Sequence, residues 1–269
     1  MNPVTVVKRS ENIPSLALGR SVLVDFYQSV ATGNEPMTVL LVNDGQDLAK
    51  MKIVPMLSEL IGSGSVRPLL VVGIHAGPQR KLEYGTAHAP DYKNRGALAP
   101  QYTQFITAEL IPFIRHAFPG LSFVNWSFAG FSLGGLSALD ICWSHPHIFT
   151  HAAVFSGSLW WRSLDQEDPG YSDDRHRLMH SLIRREDYKP GLKFFFECGP
   201  ADEVEDRNQN GVIDSIDDTK DLIIELMKKG YREDQDIQYL EIPGGAHDTR
   251  TWETAMPYFL KWLRRNSLS

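Results

Sequence analysis

Only two cysteines, Cys142 and Cys198, occur in this chain of 269 residues. Neither belongs to a Cys-x-x-Cys pair or another metal-ligand spacing, which argues against thiol redox and zinc chemistry and suggests two buried free thiols. Long apolar runs are also missing, and the start Met1-Asn2-Pro3-Val4 has no basic segment followed by an apolar core. A cytoplasmic protein with no membrane partner is therefore expected. No Pro/Gly/Ser-rich linker, low-complexity tract or internal repeat divides the chain, so one domain over residues 1–269 is expected. Positive charge is in short supply. The net charge is −6, and the basic pairs Lys228-Lys229 and Arg264-Arg265 fall at expected helix ends, where cations suit the helix dipole. That balance argues against nucleic acid as a partner. Oligomeric state leaves no trace in the sequence.

The composition itself, 42% hydrophobic and 22% charged, is that of a globular protein. Strands are expected at 21–27, 38–43, 69–74, 151–155, 192–198 and 237–242, with another ending near Ala129. The turn Gly33-Asn34-Glu35-Pro36 separates the first two. The wholly apolar runs at 38–42 and 69–74 suit central strands buried on both faces. Helices are expected at 101–118, bent by Pro112, and at 133–143, 173–185, 218–229 and 251–265. This alternation predicts an α/β fold, a three-layer αβα sandwich around a mostly parallel sheet, with functional loops at the strands' carboxyl ends.

One stretch carries more chemistry than any other. Gly130-Phe131-Ser132-Leu133-Gly134-Gly135 sets a serine between small residues where a strand turns into a helix, the pattern of a nucleophile elbow. A serine hydroxyl is a poor nucleophile at neutral pH and needs a histidine base and an orienting carboxylate. Both follow in the order serine, acid, histidine. Asp202, with Glu203 as the alternative acid, lies just past the strand ending at Cys198. His247 stands in the Gly-rich loop Pro243-Gly244-Gly245-Ala246-His247 after the last strand. An oxyanion hole takes a backbone N–H from the residue after the nucleophile, Leu133, and a second from an early loop. The loop Asn43-Asp44-Gly45-Gln46 would supply the Gln46 amide, although an ordinary Asp-Gly turn reads the same way. Among the other histidines, His75 follows a strand and could line the pocket.

A second motif has a metal signature. Residues 206–217 match the calcium loop of an EF-hand, with oxygen donors at Asp206, Asn208, Asn210, Asp214 and Asp217. The Val212 carbonyl takes the seventh place and Gly211 the sixth. Asp rather than Glu ends the loop, and an Asx-rich turn leading to a helix N-cap at Asp217 or Asp218 is the other reading. A structural calcium ion is the only cofactor expected, placed to steady Asp202; none is needed for the chemistry.

The chain resembles the esterase family that includes enterochelin esterase-like hydrolases and esterase D relatives, within the α/β-hydrolase superfamily. The carriers are Leu41-Val42-Asn43-Asp44-Gly45-Gln46, the segment with Arg80, Glu83 and Tyr84, Ala129 to Gly135, Ser156-Gly157-Ser158-Leu159-Trp160-Trp161, and Gly244 to Asp248 with Trp252. The resemblance implies the α/β-hydrolase fold and a serine esterase. Ser132 would be nucleophile, His247 base, a carboxylate near Asp202 the acid, and Gln46 and Leu133 the oxyanion donors. It also implies a small-molecule ester bound near Arg80, Glu83, Tyr84, Trp160 and Trp161, although large aromatics equally well pack a core. Siderophore, feruloyl, acetyl-sugar and simple acyl esters all remain open. So do acyl transfer with the same residues and a non-catalytic binding module on a hydrolase scaffold.

Overall fold

In the computed structural model, residues 4–29 and 36–266 are described; most of the expected turn at 33–36 lies outside them. Eight strands form one sheet in the order β1-β2-β4-β3-β5-β6-β7-β8. They are β1 (Val6–Ser15), β2 (Arg20–Ser29), β3 (Met37–Asn43), β4 (Leu69–Ile74), β5 (Phe123–Phe131), β6 (His151–Phe155), β7 (Lys193–Cys198) and β8 (Ile237–Glu241). β2 pairs antiparallel with both β1 and β4, and every pairing from β4 across to β8 is parallel. The sheet is therefore mostly parallel, as the alternation of elements requires.

Side-chain alternation along the central strands builds two cores, one on each face. Leu41, Val72, Phe128, Val154 and Phe196 face α3 (Ala99–Gln104), α4 (Ile111–Ala117), α5 (Leu133–Ser144), α7 (Leu178–Arg185) and α8 (Asp214–Lys229). Their strand neighbours Leu40, Val71, Ala129, Phe155 and Phe195 face α1 (Ile53–Gly62) and α9 (Thr249–Asn266). Helices on both faces make the three-layer sandwich. α5 is buried from Leu133 through Trp143, which fits its Leu, Ala and Gly content.

Three elements depart from the sequence reading. The expected helix at 101–118 contains a π-helical stretch, Phe105–Leu110, between α3 and α4. Pro112 cannot donate to the carbonyl four residues back, and the wider turn before it absorbs the missing bond. The expected helix at 173–185 is broken into α6 (Asp173–His176) and α7 by Arg177, which has ψ 108. The Arg177 guanidinium is drawn inward onto Asp218 and Asp221, both at 2.7 Å. α8 begins at Asp214, so Asp217 and Asp218 lie inside the helix and neither is its cap.

The strand order fixes where loops meet. The chain steps from β3 to β4 on one side and then to β5, β6, β7 and β8 on the other. The reversal falls between β3 and β5, and the carboxyl ends of the strands beside such a switch point are where α/β sheets bind ligands.

Candidate active site

Ser132 follows β5 directly, and its φ of 55° puts a non-glycine residue in a strained left-handed conformation. The turn closes only because its neighbours lack side chains. A Cβ on Gly130 would stand 2.2 Å from the Gly134 carbonyl oxygen, and one on Gly134 would stand 2.7 Å from the Asp44 carboxylate. The Ser132 N–H is held by the Phe155 carbonyl at 2.8 Å, and its own carbonyl accepts from Gly135 at 3.0 Å. Leu133 opens α5, so its N–H has no acceptor within the helix and is available beside the hydroxyl.

The loop after β3 packs against this elbow. Asp44, rather than Gly45, takes the left-handed conformation, with φ 57°. Gly45 is required for close approach instead, since a Cβ there would lie 2.2 Å from the Gly73 carbonyl carbon. The Asn43 amide donates to the Gly134 carbonyl at 2.8 Å, tying β3 to α5. Gln46 sits exposed in the short 3-10 turn Gly45–Asp47, its side-chain oxygen accepting the Ala76 N–H at 3.1 Å.

A cavity of about 320 Å³ opens over the elbow, and the loops after β5, β6, β7 and β8 all line it. They bring Ser132, the Ser156-Gly157-Ser158 turn with Trp160, Asp202 with Glu203, and His247 to one place, and Ser215 of α8 closes a side. The Ser132 and Ser158 hydroxyl oxygens are 3.5 Å apart. His247 makes no direct hydrogen bond to Ser132 or Asp202 in this conformation. Its imidazole packs edge-on to Trp252 with ring centres 5.4 Å apart, and Trp252 stacks in turn on Phe131 of β5 at 4.8 Å.

The charges divide the work between the candidate acids. Desolvation lowers the proton affinity of His247; the nearby Arg80 charge lowers it further, while Asp202 and Asp248 oppose both. Of the two candidate acids, Asp202 and not Glu203 is among the charges that raise the proton affinity of His247. Burial raises the Asp202 pKa, offset in part by the Gly199 N–H on Oδ2 at 3.1 Å and by the Ser156 hydroxyl. Burial pushes Glu203 up to about 7, and its carboxylate accepts the Ser215 N–H at 2.5 Å. Trp252 Nε1 donates to the Ser156 Oγ at 2.9 Å, joining the acid's surroundings to the support of the histidine.

The family model described as "Putative esterase" matches residues 15–263. The chain belongs to this esterase family. No curated protein matches it in sequence. Among solved structures it is similar to the enterobactin esterase FES from Shigella flexneri, with 20% identity and a TM-score of 0.75 over 96% of this chain and 59% of that one. A ferulic acid esterase has 15% identity and a TM-score of 0.71, covering 98% of this chain and 100% of the other. The siderophore hydrolase EstB from Aspergillus nidulans has 17% identity and a TM-score of 0.63 over 96% and 94%. At these identities the likeness establishes the fold, and the chain spans about three fifths of the Shigella enzyme's length.

Of the five substrate-contact candidates in this esterase-family chain, only Trp160 lines the cavity. Glu83 is fully buried, and both its oxygens bond the Arg20 guanidinium, at 2.7 and 2.5 Å. Tyr84 is also fully buried, its hydroxyl accepting the Asp44 N–H at 3.3 Å. Trp161 is core, packed where Gly85 and Gly96 leave room for its ring. Arg80 is half-buried and grips Asp44 through two bonds of 2.6 and 2.7 Å, close enough to act on His247. His75 bonds Asp25 at 2.8 Å rather than lining the cavity. Sequence reasoning gave no role to Ser156 and Ser158, named above only among the residues that carry the resemblance, nor to Glu197. The first two were legible as small polar residues just past a parallel strand. The third was legible as a lone acid within Phe194-Phe195-Phe196-Glu197-Cys198.

In the loop at 206–217, Asp206 accepts the Asn210 and Gly211 N–H groups at 3.1 and 2.9 Å. Asp217 accepts both the Asn208 and Asn210 amides at 2.8 Å. Four of the five expected side-chain donors are thus drawn together. The fifth, Asp214, accepts the Arg207 N–H at 2.9 Å and pairs with its guanidinium at 3.2 Å. Among the described residues no three His, Cys, Asp or Glu side chains are grouped to hold a metal. The described residues also include no helix long and apolar enough to cross a membrane.

Proposed function

We propose that this chain is a serine esterase in which Ser132 attacks the carbonyl carbon of a small-molecule ester, His247 accepts the hydroxyl proton and Asp202 orients the imidazole. The observation that carries this reading is Ser132 at φ 55° on the floor of a cavity it shares with His247 and Asp202. A strained serine is retained where its exposure to a reacting group repays the cost. The imidazole passes the proton to the departing alcohol and leaves Ser132 acylated. It then takes a proton from water, whose attack releases the acid and restores the serine. The Leu133 N–H and the Gln46 N–H stabilise the oxyanion, each donor contributing about 3 kcal/mol. Hydroxyl-to-imidazole bonds are commonly long in free enzymes and tighten on the substrate, which accords with the open spacing of His247.

The ester is one that carries an aromatic ring. Trp160 lines the cavity, and the Arg95 and Arg162 guanidinium carbons stand over its ring at 4.9 and 5.8 Å from its centre. A flat, electron-rich acyl group suits such a wall, and similar structures are named for ferulic acid and enterobactin. A structural calcium ion in the 206–217 loop would be held by Asp206, Asn208, Asn210 and Asp217 with the Val212 carbonyl, and takes no part in the reaction.

A fluorophosphonate probe and p-nitrophenyl esters test the assignment on the native protein, Ser132→Ala and His247→Ala. Labelling at Ser132 with turnover lost in both variants is the expected result. Equal behaviour of the three proteins would overturn it.

A further inference from the structure

Glu197 is the one acidic residue of β7, and the pleat puts it on the same face as Phe195, beneath the loops that carry Asp202 and His247. It is only 1% exposed, and neither of its carboxyl oxygens has a hydrogen-bond partner. The same is true of Asp202 Oδ1. Three buried carboxyl oxygens without a close partner therefore belong to two acids near enough for the Asp202 charge to raise the proton affinity of Glu197, an effect that the Ser156 N–H opposes in part. No cation relieves them, since among the described residues Glu197 forms no ion pair. The titratable groups around it are Asp202 on the following loop and the neighbouring Cys198 thiol, itself kept protonated by burial. His247 and Asp248, on the loop after β8, act on Asp202, and Arg80 acts on His247.

Two ionised carboxylates this near, one of them fully buried with no close donor, would be far more costly than one proton retained between them. We propose that Glu197 is a neutral carboxylic acid whose O–H donates to Asp202 Oδ1, making it a positioning residue for the acid that orients His247. Burial and the Asp202 charge push Glu197 up to about 8, so it is the partner that keeps the proton at neutral pH. Asp202 stays ionised, with Oδ2 on the Gly199 N–H, Oδ1 on the Glu197 O–H and the Ser156 hydroxyl also donating to the carboxylate, which leaves a lone pair for the imidazole. The inference rests on the reading of Ser132, His247 and Asp202 as the reacting group.

Infrared difference spectroscopy on the full chain tests it directly. The native protein at neutral pH should show the carbonyl stretch of a protonated carboxylic acid that is absent from Glu197→Gln and is lost on titration through about pH 8. In kinetics, Glu197→Gln, whose amide can still donate, should keep kcat within about threefold of native and lose the alkaline decline near that pH. Glu197→Leu should lower kcat about tenfold or more with KM unchanged. Identical carboxylic-acid regions in native protein and Glu197→Gln would overturn the proposal. So would native kcat across the pH range in a folded Glu197→Leu. Should Glu197→Leu fail to fold, the spectrum and pH profile of Glu197→Gln decide alone. Fluorophosphonate labelling of native Ser132, run alongside, separates failure of this proposal from failure of the esterase reading, because it depends on Ser132 and not on Glu197.

Discussion

Deleting the Ser132 oxygen tests the chemistry with little disturbance to packing, since alanine must adopt the same φ of 55°. Ser132→Ala should lower kcat by about ten-thousand-fold or more with an unchanged denaturation midpoint, measured by ester turnover and urea unfolding. The histidine makes a prediction in pH. A base must be neutral to act, and desolvation together with Arg80 holds His247 below the ordinary histidine value, so the acid limb of kcat/KM should fall below about 6.5. Arg80→Gln removes one of those causes, and its profile should move toward higher pH. Glu83 gives the opposite kind of prediction. Its carboxylate is sealed in the core on Arg20. Glu83→Gln should therefore cost about 3 kcal/mol of stability with KM unaltered, because it leaves a charge poorly matched, while Trp160→Ala should raise KM for aromatic esters more than for acetyl esters.

At the scale of elements, the turn between β5 and α5 depends on backbone meeting backbone. A methyl group on Gly130 has a carbonyl oxygen 2.2 Å away and no flexible side chain to displace. Gly130→Ala should therefore destabilise the fold by about 1–3 kcal/mol and slow fluorophosphonate labelling of Ser132, read by urea denaturation and labelling rate. This turn was legible because its glycines, serine and flanking apolar runs are contiguous. The central strands were legible for a related reason: burial on both faces leaves unbroken apolar runs at 38–42 and 69–74. β1 was not, because its run of exposed residues Val7, Lys8, Arg9 and Ser10 gives an edge strand no apolar alternation to detect. The break at Arg177 was equally hidden. It is set by Asp218 and Asp221, about forty residues away in sequence, and local helical periodicity carries no sign of a distant ion pair. The same limit applied to Glu83 and Tyr84. Their residue types suit a pocket, and only the packing of Arg20 and Asp44 around them reveals that they are sealed inside.

At the scale of the molecule, the segment between β7 and α8 links the acid's loop to the outer helices. Arg207 reaches Asp173 of α6 at 3.2 Å and Asp218 of α8 at 2.5 Å, while Glu203 accepts from the first turn of α8. Whatever steadies residues 206–217 therefore steadies Asp202 and the wall of the cavity together. If calcium fills the cluster of Asp206, Asn208, Asn210 and Asp217, it binds the folded state and not the unfolded chain. Saturating calcium should then raise the thermal midpoint by about 5 °C or more over the EGTA-treated protein. Asp206→Ala should abolish that difference and leave the EGTA midpoint nearly unchanged. Because the ion stands apart from the reacting atoms, its removal should alter kcat only modestly. Equal midpoints in calcium and EGTA would mean that the Asn208 and Asn210 amides on Asp217, with Arg207 on Asp214, hold the loop by hydrogen bonds alone.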